Sequence, residues 1–469
     1  MAACAVRRYP ICHCPTVRLS VSKEWFLTST RPAGLRRALG TVFGLAIAVG
    51  ATVGAGILGA PGDVAAALPR ANLYLLAWVF GGIITLLGAN IFAELGAMLP
   101  RSGGYYNFAR RAFGDGAGFF VGFADWINWC IGTPALALLA GDYLGSLIPV
   151  FHGHVVLAGF ALLASLVVFQ WIGVRSGGRT QTVTTLLKTA ALLALVVAAF
   201  LLPHAPLPAP VPSALPSGGS LLLAFGLAMQ GIIFTYDSYY AVIYCGGEIE
   251  DAGRVIPRTM FQGAFLIIGI FLLLNVAYLA VVPIGAMAHD SFVGATMARA
   301  LFGPSGDVLI RVIMIVSILG TINAQIMAAP RVLHAMGQDG LAPRFVTRVN
   351  AGGTPIIALI AGLALVSGFM LLGSFSAAVA VDSVLVVLLY VLMFAAFFRL
   401  SRKEPELARP YRARGYPWLP ALALVIAVVL LAGLIAADPK SAAITGVVMV
   451  VTWLAGLLVK RRRNAAVSP

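Results

Sequence analysis

The sequence predicts an all-α integral membrane protein of twelve spanning helices, and three observations carry that expectation. Of its 469 residues, 60% are hydrophobic and only 10% charged, a balance outside that of soluble domains. The apolar residues fall in long unbroken runs and lack the short alternating segments of a membrane β-barrel. The basic residues alternate between loops. With the N-terminus inside, segments on that side hold 27 of the 32 lysines and arginines, the bias of cytoplasmic loops. The net charge of +15 is therefore a topology signal, and no nucleic-acid partner is expected. The lipid bilayer is the expected surrounding, a cell (inner) membrane, and arginine-rich, alanine-rich usage points to a GC-rich bacterial genome.

In chain order, residues 1–38 are polar and basic without a cleavable signal of ordinary shape. They read as a disordered cytoplasmic tail. At about 20 residues per span, the spans run 40–68, 73–99, 117–148, 155–173, 181–202, 221–246, 259–282, 307–336, 355–373, 376–398, 418–436 and 441–460. Residues 39–400 form a ten-helix core, 401–417 a cytoplasmic loop, 418–460 helices 11 and 12, and 461–469 a second cytoplasmic tail. Both termini are expected in the cytoplasm. The long external loops are 203–220, rich in proline and extended, and 283–306, with a short surface helix from Phe292 to Leu301.

Two spans look interrupted. In span 1, Gly50, Gly54, Gly56, Gly59 and Pro61 fall within twelve residues. Glycine costs about 1 kcal/mol and proline about 3 in a helix interior. Irregular backbone survives in a membrane only where protein buries it or it lines a wet cavity, so the break suggests a ligand site. A half-helix starting near Gly56 would point free N–H groups at a carboxylate. The competing reading is a small-residue surface for close helix packing. Span 6 carries Phe234-Thr235-Tyr236-Asp237-Ser238-Tyr239 at its middle. An aspartate at that depth costs about 2.5–3.5 kcal/mol, and Asp and Ser compete for the backbone. A break there leaves carbonyls near Phe234 that suit an ammonium group. Interruptions in spans 1 and 6 imply a five-plus-five repeat, about 39–202 and 221–400, inverted because each half has an odd number of spans.

Four motifs then carry a resemblance. They are Val49-Gly50-x-x-Val53-Gly54-x-Gly56-Ile57 with Pro61; Ala93-Glu94-Leu95-Gly96 through Pro100-Arg101-Ser102-Gly103-Gly104-Tyr105; Glu248 through Arg254-x-Ile256-Pro257-Arg258; and Pro330-Arg331-Val332-Leu333 through Asp339-Gly340-x-x-Pro343, followed by Gly353-Thr354-Pro355. From about residue 36 to 400 the chain resembles the amino acid–polyamine–organocation (APC) superfamily of amino-acid permeases. The resemblance implies the LeuT-like fold with substrate between broken helices 1 and 6. Its carboxylate would meet the amides of Gly54, Ala55 and Gly56, and its ammonium the carbonyls of Thr52, Phe234 and Asp237. Phe234 would be an aromatic gate, with Tyr236 in the same binding set. Lys188 resembles the helix-5 group that replaces sodium in proton-coupled members; otherwise it is a lysine snorkelling to the surface. The chain departs from the family at Ala55, where serine is common, and at Tyr236-Asp237-Ser238-Tyr239, where Tyr-Gly-Gly-Phe is usual.

The other polar residues of the spans each carry a functional and a structural reading. Asp237 could pair with an ammonium, carry a proton, or simply hold the helix break. Glu94, Arg101 and Arg331 read as an inner gate or a structural network, and Asp125, with Trp126 and Trp129, as pocket lining or structure. Asn323 and Gln325 face the cavity or glue helices, and Asp382 has no assigned role. Cys12-His13-Cys14 fits no common zinc spacing, and neither metal nor cofactor is expected. No acid–base or nucleophile cluster of an enzyme lies at one depth, and no pore-loop repeat of a channel occurs. The reading is a secondary active amino-acid transporter working by alternating access and coupled to protons. The alternative is an exchanger of cationic amino acids or polyamines.

Overall fold

A computed structural model describes residues 39–203, 207–208, 214, 218–288, 290, 292–372 and 375–467. The tail at 1–38 and most of the proline-rich loop lie outside the described residues. The α-helices are α1 (Thr41–Thr52), α2 (Gly56–Ala67), α3 (Ala71–Met98), α4 (Tyr105–Phe113), α5 (Asp115–Leu147), α6 (Val155–Ile172), α7 (Val174–Leu201), α8 (Gly219–Tyr236), α9 (Ala252–Val281), α10 (Ile284–Met287), α11 (Val293–Phe302), α12 (Pro304–Gln338), α13 (Ile356–Leu372), α14 (Phe375–Lys403), α15 (Trp418–Ala437) and α16 (Pro439–Val467). Among the described residues, nine helices are long and apolar enough to cross a membrane, or ten when the bent pair α1–α2 counts as one span. The remaining two expected spans, six and nine, correspond to the shorter apolar helices α8 and α13.

Several helices outrun their apolar stretches. The fifth begins at Val174 and not near 181, because Arg175, Ser176 and Arg179 continue it beyond the hydrophobic run. Hydropathy marks where the lipid ends, whereas backbone hydrogen bonding carries the helix on into water. The same holds at the far end, where α16 continues through residues read as a tail to Val467. The expected surface helix is α11.

The halves repeat each other. In each, a broken or shortened first element is followed by a long helix, α3 or α9, then a short one, α4 or α11, then the longest helices, α5 and α12. Corresponding elements pack in pairs: α3 on α9, α5 on α12, α2 on α8. That is how an inverted repeat closes on itself. Burial grades outward from this centre. The apolar windows of α12 and α14 are 72% buried, and those of α15 and α16 only 22% and 17%. The outer helices turn residues such as Val425, Val429, Val447 and Trp453 outward, a surface suited to lipid.

Candidate functional site

The first helix stops at Thr52 and resumes at Gly56, bent by 40°. The amides of Gly54, Ala55 and Gly56 find no acceptor among the described residues. Because the Gly54 amide turns away, the Gly50 carbonyl loses the partner a continuous helix would give it. Lys188 Nζ takes its place at 2.5 Å, and Thr321 Oγ1 donates to the same oxygen at 3.3 Å. A cation at a helix C-terminus also suits the helix dipole. Lys188 is fully buried and reaches Ser317 O at 3.4 Å, so it does not snorkel. Further along α7, Thr185 Oγ1 and Gln181 Nε2 donate to Ala46 O at 2.9 and 3.3 Å. Pro61, inside α2, removes the donor to the Ile57 carbonyl, and Tyr278 OH supplies it at 3.2 Å.

The glycines serve close approach at two places. A Cβ on Gly50 would collide with Gln181 and Thr185 of α7, so this glycine lets two helices approach. A Cβ on Gly56 would stand 2.7 Å from Thr235 Oγ1 and 3.0 Å from Thr235 Cα. There the close approach is to the second break.

That second break differs from the expected pair of half-helices. After α8 the chain turns at Asp237–Tyr240 and continues as two short 3₁₀ turns, Ala241–Tyr244 and Gly246–Glu248. Helix propensity and aromatic packing both contribute. Tyr, Val and Ile are weak helix formers and glycine weaker still, and the tyrosines are drawn into packing: Tyr240 lies against Tyr105 and Tyr390. Ser238 takes a left-handed backbone, φ 71°, where glycine would sit freely. The Asp237 carboxylate holds the turn, accepting from Ser238 Oγ at 2.9 Å, Tyr240 OH at 2.9 Å and Tyr390 OH at 2.8 Å.

The two breaks face one cavity of ≈ 40 Å³, room for about three waters. Thr52, Gly54, Ala55, Gly56, Phe234 and Asp237 all line it. Tyr236 does not: its ring packs on Phe271 and Trp78, and its hydroxyl donates to Trp78 O at 3.2 Å. Thr235 and Ser238, Asn128, Trp129 and Gly132 of α5, Thr321 and Gln325 of α12, and Asp382 of α14 also line it.

The amino acid permease family model matches residues 39–459. The chain belongs to the amino acid permease family. It is 28% identical over 437 residues to the serine/threonine exchanger SteT of Bacillus subtilis, covering 91% of this chain and 97% of that one. It is 27% identical over 394 residues to the human Asc-type amino acid transporter 1 (81% and 74% covered), and 23% over 419 residues to the human b(0,+)-type amino acid transporter 1 (87% and 85%). The protein is thus a multi-pass membrane transporter of amino acids and not an enzyme.

The permease's other expected site residues lie away from the cavity lining. Asp125 accepts from Tyr244 OH at 2.8 and 2.9 Å, fastening the 3₁₀ segment to α5. Asn323 bonds to Gln170, Gln181 and the Gly177 carbonyl, and so glues α12 to α6 and α7. Glu94 pairs with Arg409 at 2.5 Å and accepts the Ala413 amide, anchoring the segment after α14 on α3. At the same end of the bundle the permease's motifs converge. Arg331 grips Glu248 with two bonds of 2.5 and 2.7 Å, both side chains buried. Asp339 takes Arg110 at 2.7 Å, Tyr106 OH at 3.0 Å and Arg101 at 3.3 Å.

The reading of single residues missed Asn128, Thr235, Thr321 and the placement of Asp382. A signal for some was present in their spacing. Ser317, Thr321 and Gln325 recur every four residues in span 8, and Asp125, Asn128, Trp129 and Gly132 follow the i, i+3, i+4, i+7 pattern of one helix face. A polar stripe on a long apolar helix faces protein or a cavity.

Proposed function

We propose that this permease holds its amino acid between the two breaks and moves it by alternating access. The observation that supports the reading most is the run of unpaired amides at Gly54, Ala55 and Gly56 opposite Asp237 across one cavity. Free N–H groups at the head of α2 suit a carboxylate, and the far side, with the Asp237 carboxylate, suits an ammonium. The cavity is small, so an amino acid is admitted when the halves rock apart and enclosed when they close. A thermal-shift screen of the purified protein against amino acids and polyamines tests this, because a ligand binding only the folded state raises its stability. A site of this kind gives a shift for at least one amino acid; no shift across the panel contradicts it.

The coupling reading centres on Lys188. Protonated, its ammonium ties α1, α7 and α12 through the Gly50 and Ser317 carbonyls. Without the proton that tie loses its charge, and the conformational balance moves with it. A pH gradient, acid outside, should then drive accumulation in proteoliposomes. The name of one relative, an exchanger, favours a second reading, obligate exchange. Uptake that needs internal amino acid and ignores the pH gradient would select it. We place the protein in an inner membrane with twelve spans and both termini in the cytoplasm. The bias of basic residues supports this orientation, and it puts the Arg331–Glu248 end, as an inner gate, on the cytoplasmic side.

A further inference from the structure

Two carboxylates line the cavity, and they are not equivalent. Asp237 already accepts from three hydroxyl donors. Asp382, on α14, is only 7% exposed, lines the same cavity, and accepts no hydrogen bond from any described residue. A buried carboxylate left without a partner is costly, and buried ionisable groups in membrane spans face a function. Its surroundings do not offer relief. Among the lining residues there is no lysine, arginine or histidine. Thr52, Thr235 and Thr321 spend their hydroxyls on the carbonyls of Ala48, Gly231, and Gly50 or Ser317. Near Asp382 lies Gly132, whose missing side chain keeps space open: a Cβ there would come 3.9 Å from Asp382 Oδ1 and 3.2 Å from Gln325 Nε2. The Gln325 oxygen is held by Thr133 at 2.8 Å, which leaves its amide nitrogen as a neutral neighbour.

We infer that Asp382 is the specificity residue of the cavity and takes a cationic amine on the substrate's side chain. The inference rests on the reading that an amino acid lies between the helix breaks. Its carboxylate and α-ammonium are met at α1–α2 and at the turn after α8. A side chain directed towards α5, α12 and α14 then reaches Asn128, Gln325 and the lining carboxylate that no described residue pairs. A side-chain ammonium satisfies that carboxylate, and a methyl group of the same size does not. The cavity's small volume favours a short diamino acid.

The test compares L-2,4-diaminobutyrate with L-norvaline, which have the same length and differ by an ammonium in place of a methyl. Their dissociation constants are measured on the purified full-length protein, wild type, Asp382→Asn and Asp382→Glu. A charge-assisted contact in a dry site predicts that wild type binds the diamino acid about 10- to 100-fold more tightly. Asp382→Asn should bring the two near parity, and Asp382→Glu should keep the preference. Equal affinities in wild type, or a preference that survives in Asp382→Asn, overturn the role of Asp382 while leaving the amino-acid site standing. If neither ligand nor any proteinogenic amino acid binds folded wild type, the site reading itself fails, and the inference with it. Should Asp382→Asn not fold, the wild-type ratio and Asp382→Glu decide: a wild-type preference that Asp382→Glu loses also overturns the inference.

Discussion

At the scale of the residue, this protein assigns polar side chains to backbone that a helix cannot satisfy. Lys188 fills the place of the missing Gly54 amide on the Gly50 carbonyl, and Tyr278 that of the donor removed by Pro61. Lys188→Ala is therefore expected to lose pH-driven accumulation in proteoliposomes while keeping measurable substrate binding. A variant that follows an imposed pH gradient as well as wild type would remove Lys188 from coupling. Tyr236 supplies a contrasting case. Its hydroxyl meets Trp78 O outside the cavity, so Tyr236→Phe should leave the KM for uptake unchanged and cost about 1 kcal/mol of stability. A large rise in KM would return this residue to the site. The difference between these two residues was legible only in part. The resemblance placed Lys188 at the coupling position and Tyr236 with Asp237 in the binding set, but neighbouring residues at a helix break point in different directions, and only the folded turn decides that Asp237 and not Tyr236 faces the cavity.

At the scale of the element, the breaks and their clamps organise the molecule. The glycine cluster and the mid-span Asp237 announced both interruptions, because their cost in a continuous helix can be read directly from residue type. The shape of the second interruption could not be read that way. Its 3₁₀ turns depend on the packing of Tyr240 tilted against Tyr105 and edge-on to Tyr390, contacts made between residues more than a hundred positions apart. For Glu94, Asp125 and Asn323 residue type left pocket and structure both open for a similar reason: each is a buried polar residue, and its partner lies on a distant element. The Arg331–Glu248 pair joins the segment after α8 to α12 without exposure to water. Breaking one member of such a pair costs about 3–5 kcal/mol, since the other charge is left buried. Glu248→Gln should thus lower the unfolding temperature of the purified protein markedly. An unchanged unfolding temperature would mean that the pair does not bind these elements together.

At the scale of the whole molecule, hydropathy and charge made the architecture readable. Each of the twelve expected apolar runs falls on a helix or helix pair among the described residues, while the short helix α4 and the water-facing helix ends were missed, because lipid exposure and hydrogen bonding end at different places. The alternation of basic loops predicts sidedness. A single cysteine at Lys440 should react with an impermeant reagent from outside the cell, and one at Arg344 should not; labelling of both would overturn the twelve-span orientation. The central claim is that the two breaks form one amino-acid site. Its most direct test is uptake of a radiolabelled amino acid, identified by the stability screen, into proteoliposomes bearing wild type or Gly56→Leu. A leucine at this position enters the space between the unpaired amides and Thr235, where even a Cβ is crowded. The account predicts that the variant inserts in the membrane in normal amount and binds and transports nothing. Uptake by Gly56→Leu at the wild-type rate and KM would contradict it.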